Sequence, residues 1–217
     1  MKKSYVYLLT TFMLWGSLYV VSQFVLGKIP TFTVAMFRYL ISFIALSLIS
    51  LKSEKEKIEK SDYKYFFIMG FIGYFISVDC QLLGTKIAGG SMASLINSLN
   101  PVIISVMAMI ILNEKSEINK IVGIVLSLAG VYMIIGTGAN IQFLGVLISF
   151  IAVIGWAFMS VISRKISNKY SALTLTKVSM LIATVCNIPV SFLEVQVTHP
   201  LIQVDLGAVL GLVYMGV

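Results

Sequence analysis

Charge is scarce in this chain: 12% of its 217 residues are Asp, Glu, Lys or Arg, about half the share usual in a soluble domain, roughly 25%. A water-soluble fold this poor in charge would lack polar surface to cover its core. Cysteine is nearly absent too. Cys80 and Cys186 both lie inside apolar stretches, at a spacing that fits neither a metal set nor a disulfide framework. Histidine occurs once, as His199, and there is no HExxH pattern, which argues against a metalloenzyme. A glycine-rich phosphate loop ending in Lys-Ser/Thr is also missing, so the sequence encodes no ATP motor. No cofactor is expected.

What is present is apolar: 59% of residues are hydrophobic and the mean hydropathy is +0.98. A membrane-spanning helix needs roughly 20 such residues in a row. Runs of that length recur at about 4–26, 31–51, 65–85, 91–112, 121–138, 143–163 and 171–193, and an eighth begins near Asp205. The spacers are too short for a separate soluble domain. The sequence therefore predicts an all-α integral membrane protein, a multi-pass helical bundle in a lipid bilayer. Met1-Lys2-Lys3 followed by an apolar run resembles a signal peptide, but the run extends to about Leu26 without a small-x-small cleavage site, so a retained first helix is predicted.

The net charge of +7 does not mark a nucleic-acid partner, because the charges sit in the spacers. Alternate spacers hold Lys2 and Lys3; Lys52, Lys55, Lys57, Lys60 and Lys64; Lys115 and Lys120; and Arg164, Lys165 and Lys169. The other set holds only Lys28 and Lys86. Twelve cations against two place the N-terminus in the cytoplasm by the positive-inside rule. The mixed run from Lys52 to Lys64 reads as a solvated linker on that side.

A shift of 141 residues lays Trp15 on Trp156, Ser22 on Ser163, Thr33 on Thr174 and Gly70 on Gly211. One copy would hold five helices, an odd number, so the second would insert upside down, as in many secondary transporters. The predicted organisation is two inverted-topology repeats, 1–138 and an incomplete 139–217. Carried forward, the shift puts the end of the second copy about 60 residues beyond Val217, so a longer natural chain is expected.

Five local patterns occur in order: Leu14-Trp15-Gly16-Ser17, Phe37-Arg38-Tyr39-Leu40, Gly70-Phe71-Ile72-Gly73-Tyr74, Ser94 to Pro101 followed by Leu112-Asn113-Glu114, and Gly123 to Val131. Together they resemble the first repeat of the ten-helix, EamA-type drug/metabolite transporters. The Pro101–Glu114 pair, at the two ends of the fourth run, is the most specific mark. The resemblance implies export or uptake of small metabolites through one central cavity by alternating access, without saying which metabolite; the expected function is a secondary transporter, most simply an exporter of amino acids or related compounds. It gives Glu114 a structural role. The acidic drug site of the small multidrug-resistance relatives is missing, since the first run has no Asp or Glu.

Polar groups inside a bilayer are costly and usually face a cavity or a partner. Trp15, Tyr19, Ser22 and Gln23 share one helical face; Trp15, Tyr19 and Gln23 are candidate substrate-binding residues, as is Trp156, on which Trp15 falls. Helix packing is the competing reading. In the fourth run, Asn97 and Asn100 are candidates because a buried amide needs partners. Pro101 frees the carbonyl one turn back, near Asn97, as a hinge, a ligand contact or a plain kink. Gly90, Ser94 and Ser98 form a small-residue series suited to packing. Arg38 and Asp79 are each roughly 10 Å deep, at 1.5 Å per residue. They are expected to pair, directly or across the cavity; failing that, Asp79 is the best protonatable or substrate-binding carboxylate. Lys177 can snorkel to the interface. The first, third, fourth, sixth and eighth runs are expected to line the cavity. A membrane accessory or scaffold subunit without transport activity is the rival reading, a lipid enzyme a third one that lacks a catalytic cluster, and a homodimer stays open.

Overall fold

The computed structural model describes residues 2–51, 56–113, 121–123, 125–126, 129–130, 133, 142–200, 202 and 204–216. All regular structure among them is helical. Six helices are long and apolar enough to cross a bilayer. They are α1 (Lys2–Leu26), α2 (Thr31–Ser50), α3 (Lys60–Ala88), α4 (Gly90–Leu112), α5 (Phe143–Ile166) and α6 (Ala172–Thr198). A shorter helix, α7 (Leu206–Gly216), follows. The chain is thus an all-α, multi-pass membrane protein. Most of the predicted fifth run, and Glu114 with it, lies outside the described residues.

The outward faces carry Met13, Val20, Leu48, Phe192 and Leu193, all largely exposed. In water that surface would cost about 25 cal/mol per Å²; lipid removes the cost. Inside, small residues bring the helices together. At the α3–α5 seam a Cβ on Gly145 would lie 2.7 Å from the Ala88 Cβ and 2.8 Å from its backbone nitrogen, and one on Gly84 would collide with the Ser149 hydroxyl. Ser77 Oγ crosses the same seam and donates to the Ala152 carbonyl at 2.6 Å. Such close approach maximises dispersion where no hydrophobic force acts between helices.

Two long helices depart from α geometry. Residues Met69–Ile76 of α3 form a π-helical stretch, in which Gly70 and Gly73 admit Ile182 of α6 and Met159 of α5. The Tyr74 carbonyl there accepts from the Tyr39 hydroxyl at 2.6 Å. α4 is interrupted between its segments Gly90–Asn97 and Asn100–Leu112. Pro101, near the start of the second segment, has no N–H to give the Asn97 carbonyl. Between α3 and α4 the chain turns at Gly89, whose φ of +84° excludes most side chains.

α2 and α6 pack along their length, and α6 caps the start of α2. Pro30 at the N-cap of α2 has no side-chain acceptor. The N–H groups of Thr31, Phe32 and Thr33 instead donate to the Glu194 carboxylate, at 2.9, 2.9 and 3.4 Å. Glu194 stands in the last turns of α6, where its own helix dipole disfavours it and the dipole of α2 favours it. At the other end, Ser171 caps α6 by accepting from the Thr174 N–H at 3.3 Å, and the Ser171 N–H donates to Glu56 at 3.1 Å.

The described part of the linker after α2, from Glu56 to Asp62, is therefore docked rather than simply solvated. Lys169 donates to Asp62 at 3.1 Å and to Glu59 at 3.4 Å, and the Tyr170 hydroxyl donates to Asp62 at 2.9 Å. Hydrogen bonding to Asp62, then the charges of Asp62 and Glu59, raise Lys169 above its ordinary range. At the opposite end Lys28 pairs with Asp205 and lies over the Phe24 ring at 4.0 Å. Asp205 also accepts from the Ala208 N–H at 2.8 Å, starting α7.

Candidate central cavity

A cavity of about 170 Å³ opens among α1 to α6. Each of the six helices contributes at least one residue. α1 presents Trp15, Leu18 and Tyr19; α2 presents Arg38 and Tyr39; and α3 presents Tyr74, Ser77, Val78 and Gln81, at i, i+3, i+4 and i+7. α4 adds Asn97 and Asn100 from either side of its interruption, α5 adds Ala152 and Trp156, and α6 adds Met180.

One wall is aromatic. Trp156 meets Trp15 edge-on at 6.2 Å between ring centroids and Tyr74 at 5.7 Å, and Tyr74 in turn meets Tyr39 at 6.2 Å. Edge-to-face contacts of this kind hold rings in place. The other wall is polar. Asn100 Nδ2 donates to Asn97 Oδ1 at 2.5 Å, which leaves the buried Asn100 Oδ1 without a partner. The Tyr19 hydroxyl faces Gln81 without reaching hydrogen-bond geometry. Among the described residues no carboxylate forms an ion pair with the half-buried Arg38. The site thus offers a cation, an unfilled amide acceptor and an aromatic wall. An apolar cavity of about 150 Å³ is large enough for benzene, so a small metabolite is the matching size.

Of the residues expected to bind substrate, Trp15, Tyr19, Arg38, Asn97, Asn100 and Trp156 converge on this cavity. Gln23 does not. It sits one turn further along α1, where its Oε1 accepts from the Gly90 N–H at 3.2 Å and caps α4. Asp79 lies off the lining as well. It forms no direct ion pair with Arg38 among the described residues; its partner is Asn187 of α6, at 3.5 Å. The eighth run, present as α7, contributes nothing to the lining, whereas α2 and α6 do. α7 instead packs on α1 and α2, through Ser17 to Tyr214 at 2.5 Å and Ser42 to the Gly216 carbonyl at 2.6 Å. Lys177 reaches the Ser50 hydroxyl at 3.1 Å, near the end of α2.

Gln81 and Asn187 were not singled out from the sequence, although an amide inside an apolar run is the same signal that marked Asn97. Tyr39 and Tyr74 stand within the quoted family patterns, but nothing local shows that their rings meet. No group of three His, Cys, Asp or Glu side chains among the described residues is arranged to hold a metal.

Residues 2–136 match the EamA-like transporter family. The chain is 27% identical to the uncharacterized transporter YetK of Bacillus subtilis, over 88% of this chain and 60% of that protein. It is 26% identical to an uncharacterized transporter of Clostridium kluyveri, over all of this chain and 73% of that one. With an uncharacterized transporter of Archaeoglobus fulgidus it shares 21% identity, over 84% of this chain and 65% of the relative. The chain thus spans about 60–73% of the length of these relatives.

Proposed function

This chain belongs to the EamA-like transporter family, and from that premise we propose that it moves small metabolites, amino acids or related compounds, out across the cell membrane by alternating access. The observation that carries the reading is the cavity itself, a pocket among six helices with a guanidinium, unfilled amide valence and aromatic rings. The Arg38 guanidinium suits a carboxylate, the Asn100 carbonyl suits an N–H donor, and the Trp15–Trp156–Tyr74 wall suits an apolar side chain.

Two further observations favour the details. Trp15 and Trp156 are the pair related by the 141-residue shift, and they touch at 6.2 Å. Contact between repeat mates beside a central site is what two inverted repeats, 1–138 and 139–217, would produce. The interruption of α4 beside the cavity also fits transporters whose broken helices face substrate. In the proposed topology the end bearing Lys169 and the docked linker is cytoplasmic, as is the N-terminus, and the Lys28–Asp205 end is exterior.

The test is reconstitution of the purified chain in liposomes loaded with unlabelled amino acids, followed by counterflow of the labelled compounds. Saturable uptake, lost in Trp156→Ala and Arg38→Gln while both variants remain folded, is the expected result. Proteoliposomes indistinguishable from empty vesicles for every amino acid offered would remove the proposal.

A further inference from the structure

Beside the cavity, one carboxylate is shut inside the protein. Asp79 follows the lining residues Ser77 and Val78 along α3 but faces α6, with 3% of its surface exposed. Its Oδ1 accepts from Asn187 Nδ2 at 3.5 Å, and the same nitrogen donates to the Ala183 carbonyl at 3.2 Å. Asn187 is 0% exposed. Two oxygens are left over: Asp79 Oδ2 and Asn187 Oδ1 are buried without a hydrogen-bond partner.

If Asp79 is ionised, both leftover oxygens are acceptors and neither can satisfy the other. The carboxylate would also be buried with no cation in ion-pair contact among the described residues, which is strongly unfavourable. One proton settles both problems. On Oδ2 it makes an O–H that can donate to Asn187 Oδ1, while Asn187 Nδ2 keeps donating to Oδ1. Acid and amide then form a doubly hydrogen-bonded pair with no polar atom orphaned.

The surrounding groups are compatible with this. α2 brings Arg38, whose charge favours the ionised form, and Tyr39. α6 brings Cys186 and Glu194, whose carboxylate accepts from the N–H groups at the start of α2. Cys80 adjoins on α3 itself. α1 offers Tyr19 on the cavity side. α4 has no titratable side chain, and α5 has only Arg164 and Lys165, in its last turn.

We propose that Asp79 is a proton-binding site, bridged to Asn187 in this conformation, whose loading sets the charge that Arg38 experiences. A proton from water adds to Oδ2 and returns to water on release; no other bond is made or broken. With Asp79 neutral, the Arg38 guanidinium is left to an anionic group in the cavity. With Asp79 ionised, the carboxylate competes for it. The link to substrate rests on the transport reading; the protonation does not.

Infrared spectroscopy of the purified protein in lipid at neutral pH tests the site without any transport assay. The expected spectrum has a protonated-carboxyl C=O band that moves to lower frequency in D₂O. It is lost in Asp79→Asn, and its frequency shifts in Asn187→Leu, where the bridging amide is gone. Asp79→Asn should fold as well as wild type, since an amide at this position is neutral, as the proposed acid is. Absence of an Asp79-dependent band, or failure of Asp79→Asn to fold, overturns the proton site. A band whose frequency is unchanged in Asn187→Leu overturns the bridge. If the band is present but counterflow is absent, the cavity reading fails and the proton site stands.

Discussion

Removal of the Glu194 carboxylate tests whether the last turns of α6 hold the start of α2. In Glu194→Ala the N–H groups of Thr31, Phe32 and Thr33 lose their acceptor. Two of those bonds are 2.9 Å long and the third is 3.4 Å, so the loss amounts to about two good bonds to a charged group. Such bonds contribute about 1.5–3 kcal/mol each when fully buried. Glu194 is only half-buried, so water restores part of this, and a net loss of about 2 kcal/mol is expected, at the upper end of measured N-cap deletions. In a chain of this size that is a fall of roughly 4–8 °C in the unfolding midpoint. Glu194→Gln keeps one acceptor and loses the charge–dipole part, and should cost about 1 kcal/mol. Thermal unfolding in detergent micelles, followed by far-ultraviolet circular dichroism, reads both. If Glu194→Ala melts with wild type, or if Gln is as damaging as Ala, the capping argument is wrong.

Three other expectations follow from particular contacts. Gly145→Leu puts side-chain atoms where the Ala88 backbone already stands; it should destabilise by at least about 1–3 kcal/mol, the usual cost of overpacking, seen as a lower unfolding midpoint than for Gly16→Leu, where a Cβ meets none of the described residues. Asp205 is held below the usual carboxylate range first by its bond from Lys28 and then by the Ala208 N–H. A depressed folded value means that its stabilisation is present above the ordinary Asp range, about 3.9, and is lost as pH falls through the lower folded value. Hydrogen exchange at Ala208 should therefore quicken in that acid window in wild type, and Asp205→Asn should flatten the profile. For Arg38→Gln the loss of one charge-assisted bond predicts roughly 10- to 150-fold weaker binding of a carboxylate-bearing substrate, read by quenching of Trp15 and Trp156 fluorescence, with the unfolding midpoint unchanged.

Much of the fold was legible because hydropathy is a local sum. The first four apolar runs and the sixth and seventh appear as α1 to α6 with boundaries shifted by a few residues. The site was legible in part. Trp15, Tyr19, Arg38, Asn97, Asn100 and Trp156, which line the candidate cavity, were singled out by the rule that polar or large aromatic groups deep in a bilayer face something other than lipid. The same rule failed on Gln23, because a helical face stays constant only near one depth; one turn beyond the cavity, that face meets the start of α4. It failed differently on the pairing of Arg38 with Asp79. Depth is one coordinate, and these two residues share it, but rotation about the helix axis is another. The small-residue seam that docks α3 against α5, and the π-helical stretch that precedes Asp79, turn that carboxylate toward α6.

By itself, then, the sequence determined that these helices enter a membrane, where each begins and ends to within a few residues, and which ends gather cations. Length and apolarity dictate those outcomes residue by residue. Only the tertiary structure decided which buried groups meet. Asp79 and Asn187 are 108 positions apart, and Glu194 is 163 positions from the first N–H it caps. A hydrogen bond needs its partners within a few tenths of an ångström of an ideal distance, and that is set by helix rotation and close packing, which no local pattern records.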